Sequence, residues 1–227
     1  MLHRGALWAW AIPGAPAQLS ARLSAQAEVS AARADLGALN GKITFQDLDV
    51  AFSGLNLAQQ QPSTIAIAAG AASIEQLDLT GSAGKIHASG TVGLVDERAL
   101  NLNVDGNLNV AAASLLTDQI RAEGDSTLKI AARGTISEPE VTGTVDLMNA
   151  RAVSDEPNVA AENINAHLDL EGRRIVLTEL NADVNGGTLK GSGDITLAEG
   201  TLSDVNIQLQ ASDVAYDAPL DLPSISD

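Results

Sequence analysis

Apolar and polar residues alternate one for one over long stretches of this chain, a pattern that keeps its two sets apart only on a β-strand. Between Leu100 and Val110, the residues Leu100, Leu102, Val104, Gly106, Leu108 and Val110 interleave with Asn101, Asn103, Asp105, Asn107 and Asn109. A period of two sends these sets to opposite faces. The pattern returns at Leu128–Ala132, Val141–Leu147, Ile164–Leu170, Leu180–Val184, Leu189–Leu197 and Val205–Ala211. About a dozen strands of roughly 6–12 residues are expected, in an all-β fold with one apolar face and one wet face. What touches the apolar face decides what the chain does.

Composition bears on that question. Hydrophobic residues make up 45% of the 227, yet aromatic residues only 2%: Trp8, Trp10, Phe45, Phe52 and Tyr216. A compact β-sandwich anchors its core with large rings that bury far more area than Leu or Val. Their scarcity argues against a compact sandwich. Thirteen Lys and Arg stand against 29 Asp and Glu, a net charge of −16. So acidic a chain is unsuited to nucleic acid or to electrostatic docking on anionic membrane, and its charge reads as a solvated outer face. With no cysteine, disulfides and thiolate metal sites are excluded, while the compartment stays open.

No apolar run approaches the ~18 residues that a membrane-spanning helix needs. Residues 1–17 have the outline of a short signal peptide, with Gly5–Ile12 apolar and Ala15-Pro16-Ala17 after it. The apolar stretch is short and alternation begins at Leu19, so an internal or fragment start is the preferred expectation. Residues 18–73 form a first β region and residues 74–216 a more regular one. The tail 217–227 is punctuated by Pro and Asp. A repeat array needs polar caps; none is visible, and the chain is expected to be a segment of something longer.

Turn chemistry predicts hairpins. A Gly186-Gly187 turn would pair Val184 with Leu189, and a Gly172-Arg173 turn would pair Leu170 with Ile175 and Leu168 with Leu177. An Ala83-Gly84 turn would set Leu79 opposite Ala88. Asp105-Gly106 looks like a hairpin turn, but a turn there would put Leu108 on the face of Asn103. Gly106 is therefore read as a gap on the apolar face of one continuous strand. An internal repeat is present: Gly84–Leu94 aligns with Gly187–Leu197 at an offset of 187 − 84 = 103. Ala111–Ile120 is the single stretch predicted as a short helix.

Little here could carry chemistry. His87 and His167 fall on the polar parity and read as surface residues. No nucleophile elbow, phosphate loop or His-Glu-x-x-His helix occurs, and Asp194, Asp204 and Asp213 lack calcium-loop spacing. Gly186-Gly187-Thr188-Leu189-Lys190-Gly191 departs from the calcium nonapeptide by placing Leu where Gly belongs. No enzyme, metal or cofactor is expected, and no nucleic-acid partner.

The most distinctive wording is Gly134-Thr-Ile-Ser-Glu-Pro139-Glu-Val-Thr-Gly143-Thr-Val-Asp-Leu147. Together with Asn163–Ala182, Gly186–Leu189 and Gly191-Ser192-Gly193, it resembles the recurring phrases of the AsmA/TamB-like superfamily, particularly its translocation and assembly module proteins. The resemblance covers about Ile74–Val214. It implies an elongated, twisted, U-shaped antiparallel sheet, a β-taco, with a hydrophobic trough along its length. It also implies a periplasmic location in a diderm bacterium, with the full-length protein anchored in the inner membrane. An outer-membrane barrel of the Omp85 type would be the partner, and phospholipid transport with support of outer-membrane protein assembly the function. Neither the anchor nor the partner-binding end of that family is recognisable in this sequence.

On this reading the trough is lined by the apolar parity. Its expected members begin with Ile86, Val92, Leu94, Leu102, Val104, Leu108 and Val110. Leu128, Ile130, Val145, Leu147, Leu168 and Leu170 follow, then Ile175, Leu177, Val184 and Leu189. Ile195, Leu197, Val205, Ile207 and Leu209 complete the set. Such a surface solvates phospholipid acyl chains by area alone, at about 25 cal/mol per Å². A dozen strands about 4.8 Å apart would give a trough of roughly 50–60 Å. The competing expectation is a structural β-solenoid or adhesin-like stalk in which the same face packs against itself. The inward parity of Gly90, Gly106, Gly191 and Gly193 leaves gaps that favour an open sheet.

Overall fold

The computed structural model describes residues 20–52, 54–95, 98–111, 120–154, 158–198 and 201–215. Segments 1–17 and 217–227 lie outside the described residues, as do residues 112–119, which hold most of the expected helix. Ile120, expected to end that helix, is instead paired with Ser154 as the first residue of a strand.

Thirteen strands form one open antiparallel sheet. The first half comprises β1 (Ser20–Ala31), β2 (Leu39–Phe52), β3 (Leu55–Gln59), β4 (Ser63–Ala68), β5 (Ala71–Gly81), β6 (Gly84–Gly93) and β7 (Leu100–Asn109). The second comprises β8 (Ile120–Gly134), β9 (Pro139–Ser154), β10 (Val159–Glu171), β11 (Arg174–Val184), β12 (Gly187–Ala198) and β13 (Thr201–Ser212). From β5 onward each strand pairs with its predecessor and successor in the chain, and the outermost strands β1 and β13 do not meet. The short strands β3 and β4 share one place, each bridging half of β2 to half of β5. Position 74, where the clearer resemblance begins, falls within β5, and the sheet crosses it without a break. One 3₁₀ turn, Leu36–Ala38, is capped by Asp35, whose Oδ1 accepts from the Gly37 N–H at 2.9 Å.

The repeat maps onto equivalent elements, Gly84 opening β6 and Gly187 opening β12. The Gly172-Arg173 turn forms as expected, with Leu170 opposite Ile175 and Leu168 opposite Leu177. Gly172 takes φ +68° at the first central position, as a II′ turn requires. Two other turns differ from expectation. At the β11–β12 corner the turn is Asn185-Gly186, not Gly186-Gly187, so Val184 faces Gly187 and Ala182 faces Leu189. Asn185 and Gly186 both hold positive φ, +45° and +82°, the I′ geometry that Asn-Gly favours. The Asn185 side chain secures this choice: Oδ1 accepts from the Ala160 N–H at 2.8 Å and Nδ2 donates to the Ala215 carbonyl at 3.0 Å. At the β5–β6 corner the turn is Ser82-Ala83, which moves Leu79 from Ala88 to Ile86. There Ser82 Oγ donates to Asn56 Oδ1 at 2.8 Å and accepts from the Asn56 N–H at 2.9 Å.

The sheet is creased lengthwise. Register shifts occur at Glu123/Asp125 between β8 and β9, at Ala161/Ile164 in β10, and at Leu177/Leu180 in β11. Asn149 and Asn163, at φ +49° and +50°, sit on this line. A β-bulge bends its strand and sharpens the local twist. Those in β8, β9 and β10 fall on one line that meets β11 near Ala182, while the β11 bulge at Thr178-Glu179 lies off it, between two rows of the apolar face. Ala150, 1% exposed, and the buried Ala182 and Val184 lie at the crease on the apolar side, so the apolar face is the concave one. Small residues are required here, since a Cβ on Gly124 would stand 2.8 Å from the Ala150 Cα.

Gly106 lies in mid-strand, as expected, opposite Ile86 and Leu128. A Cβ there would fall 2.1 Å from the Lys85 carbonyl oxygen. A Cβ on Gly186 would meet nothing within 4 Å, although its φ is +82°. Gly186→Ala is therefore expected to cost about 1 kcal/mol through backbone strain alone. Gly106→Val must also displace a strand, and a loss of roughly 3 kcal/mol or more is expected. Urea unfolding of the two variants checks the order; equal midpoints would refute it.

Candidate hydrophobic trough

Three rows of side chains cross the concave face at right angles to the strands. The middle row runs Leu79, Ile86, Gly106, Leu128, Val145, Leu168, Leu177, Gly193, Ile207, each opposite the next on the neighbouring strand. On one side lie Leu77, Ala88, Val104, Ile130, Gly143, Leu170, Ile175, Ile195 and Val205. On the other lie Gly84, Leu108, Ser126, Leu147, Ala166, Leu180, Gly191 and Leu209. The rows span β5 to β13, about eight spacings of 4.8 Å, or roughly 38 Å.

Most of the expected lining is brought together here. Leu102 lies on the same face one row further out, beside Gly90 and Ala132, and Val92 two rows further out, beside Leu100. Val184 and Leu189 lie across the crease, and Leu197 faces Leu202 at the far end of β12. Leu94 and Val110 stand beyond the ends of β6 and β7, outside the rows. Leu77, Leu79 and Leu180 join the rows without having been expected. Leu180 is three residues from Leu177 because the bulge at Thr178-Glu179 breaks the period of two; Leu77 and Leu79 keep the apolar parity, the turn at Ser82-Ala83 changing only their partners, to Ala88 and Ile86.

Among the described residues no second layer covers these rows. Substantial contacts join only strands that are hydrogen-bonded neighbours. Of the expected lining only Leu128 and Val184 are buried, and no large side chain among the described residues is fully so. Exposure is graded along the trough. At the β2–β3 end Phe52, Leu57 and Ala83 form a small core against Leu79, Ile86 and Leu108, so Ile86 and Leu108 are partly covered by the chain itself. At the other end Val205, Ile207 and Leu209 are 52%, 45% and 61% exposed.

The rows offer no polar handle. Ser126 alone carries a hydroxyl there, and its Oγ already donates to the Leu108 carbonyl at 3.0 Å. Charge is confined to the convex face and the strand ends. On the convex face His87 Nδ1 lies 2.6 Å from Asp78 Oδ1, and His167 Nδ1 lies 2.5 Å from Asp146 Oδ1. These bonds raise both imidazole pKa values above their ordinary position, with the charges of Asp105 and Asp169 adding to the effect. The hydrogen bond from His87 in turn lowers that of Asp78. Among the described residues no group of three or more His, Cys, Asp or Glu could hold a metal ion.

With the geometry in place, comparison adds no relative: no protein-family profile matches the chain, nor does any curated protein or solved structure.

The histidine pairs set a pH dependence of stability. A histidine whose folded pKa is raised contributes stability that is fully present below its unfolded value, about 6.5, and is lost as pH rises through the folded value. Unfolding midpoints at pH 5.5 and 8.5 are therefore expected to differ more in the native chain than in a His87→Gln/His167→Gln variant. The comparison subtracts the general relief of acidic self-repulsion, which both proteins share. Identical pH responses would refute the assignment.

Proposed function

We propose that this chain is a segment of a trough that carries phospholipid acyl chains, as the AsmA/TamB-like resemblance implies. The observation that carries the reading is an aliphatic concave face spanning nine strands, left among the described residues without a second protein layer and without a free polar group. A hydrocarbon guest laid on it removes apolar area from water on both partners, at about 25 cal/mol per Å². Nothing in the rows pins the guest at one station, so movement along them meets only the shallow relief of side chains and glycine gaps. From β7, beyond the small core, to β13 the rows run about 29 Å, six spacings of 4.8 Å. That exceeds the ~15 Å depth of one leaflet's hydrocarbon, so an acyl chain has room to shift.

In this proposal the chain acts by binding and guidance, not by catalysis. Its setting is the periplasm between the two membranes of a diderm bacterium, and the full-length protein works with an Omp85-type outer-membrane barrel in outer-membrane protein assembly. No described helix is long and apolar enough to cross a membrane. The acidic convex face keeps the sheet in water while the concave face is occupied.

Photo-crosslinkable residues at Leu102, Leu168 and Ile207, on the concave face, are expected to capture phospholipid in cells. Probes at Asn101 and Asn206, one residue away on the other face, are expected to capture none. Equal labelling of both sets, or no lipid adduct at all, would leave the stalk reading in its place.

A further inference from the structure

The antiparallel order sends alternate connections to opposite rims of the trough. Those between β6 and β7, β8 and β9, and β10 and β11 share one rim. Backbone bonds join them there: the Ile136 N–H donates to the Arg98 carbonyl at 3.2 Å and the Gly172 N–H to the Val141 carbonyl at 2.8 Å. Connections between β5 and β6, β9 and β10, and β11 and β12 form the other rim, nearer the crease.

The rims differ in charge. At the first, Arg98, Arg133, Arg173 and Arg174 stand with Glu138, Glu140 and Glu171, which is 4 − 3 = +1 among the described residues. At the second, Arg121 and Arg151 stand with Glu123, Glu162, Asp183 and Asp213, which is 2 − 4 = −2. With Asp96 and Glu97 of the β6–β7 connection and Asp155 and Glu156 of the β9–β10 connection counted from the sequence, the totals are 4 − 5 = −1 and 2 − 6 = −4, so the first rim is the less acidic of the two. Its arginines also differ in availability. Arg174 is held by Glu171 and Asp194, each at 3.4 Å. Arg133 donates to the Leu102 carbonyl at 2.8 Å and to Asn103 Oδ1 at 3.0 Å. Arg98 and Arg173 are exposed at turn positions and have no carboxylate partner among the described residues. On the second rim Arg151 lies 3.6 Å from Glu162.

Resting on the lipid-trough reading, we propose that Arg98 and Arg173 hold the phosphate of a bound phospholipid. Headgroups then lie along this rim and acyl tails point toward the crease. A guanidinium meets a phosphate through two parallel N–H donors, which the apolar rows cannot supply. The two arginines stand about four strand spacings apart, roughly 19 Å, and act as successive stations for a headgroup whose tails slide over the rows. The opposite rim, richer in carboxylates, repels the same group.

The test loads the full chain from vesicles of phosphatidylglycerol mixed with diacylglycerol of the same acyl chains, and reads occupancy by native mass spectrometry. The native chain is expected to favour the phospholipid. Arg98→Gln/Arg173→Gln should lower that preference roughly tenfold with diacylglycerol occupancy unchanged, and Arg151→Gln should leave the preference as it was. If the native chain retains both lipids and the double variant keeps the same ratio, the rim assignment is overturned while the trough stands. An equal effect from Arg151→Gln, or a parallel loss of diacylglycerol in the double variant, also overturns it. If the native chain retains neither lipid, the trough reading fails and this inference falls with it.

Discussion

Side-chain pairing between adjacent antiparallel strands is the constraint on which this molecule rests. With no facing layer among the described residues, a residue such as Val145 depends on its cross-strand partners, Leu128 on one side and Leu168 on the other. Each such cross-strand pair contributes roughly 0.2–1 kcal/mol, a modest sum that depends on unbroken register. Stability is spread along the sheet instead of gathered in a centre, which is why the few large rings have so little to do. Phe52 serves the one small core, at the β2–β3 end.

An apolar face without a partner layer is ordinarily an aggregation hazard. The crease tempers it. Bulges at Glu123/Asp125 and Ala161/Ile164 turn the face inward on itself. The glycines that permit close passage of neighbouring strands, Gly106 and Gly193 among them, lie in the rows and not on the wet side. A neighbouring molecule therefore meets mainly carboxylates, while a flexible chain can enter the concavity. On the proposed reading, the same geometry that protects the sheet would select its guest by shape.

Much of this was legible in the residues because the period of two is so regular. Leu100–Asn109 forms one strand with Gly106 inside it, and the parity argument alone rejected a turn there. Legibility failed where the period slipped. The bulge at Thr178-Glu179 leaves Leu177 and Leu180 on the same face though three residues apart, a spacing that alternation assigns to opposite faces. Adjacent candidate turn residues were the other weakness. Gly186-Gly187 and Asn185-Gly186 are both sound turns by composition, and the choice fell to hydrogen bonds from the Asn185 side chain to residues 25 and 30 positions away. The charge contrast between the rims was hidden for a related reason: Arg98 and Arg173 are 75 positions apart in sequence and share a rim only once the order of strands is known.

The tight corners at Gly172-Arg173 and Asn185-Gly186 carry a consequence for how such a molecule changes over generations. A single residue added to either corner has to be absorbed there as a longer loop or a bulge, because passing it into the strand would bring acids to the lining and oil to the water. A whole hairpin inserted between two existing ones leaves that polarity untouched and extends the channel by two strands, about 10 Å. Its reach is therefore set in discrete increments, like links in a chain, each link two strands long.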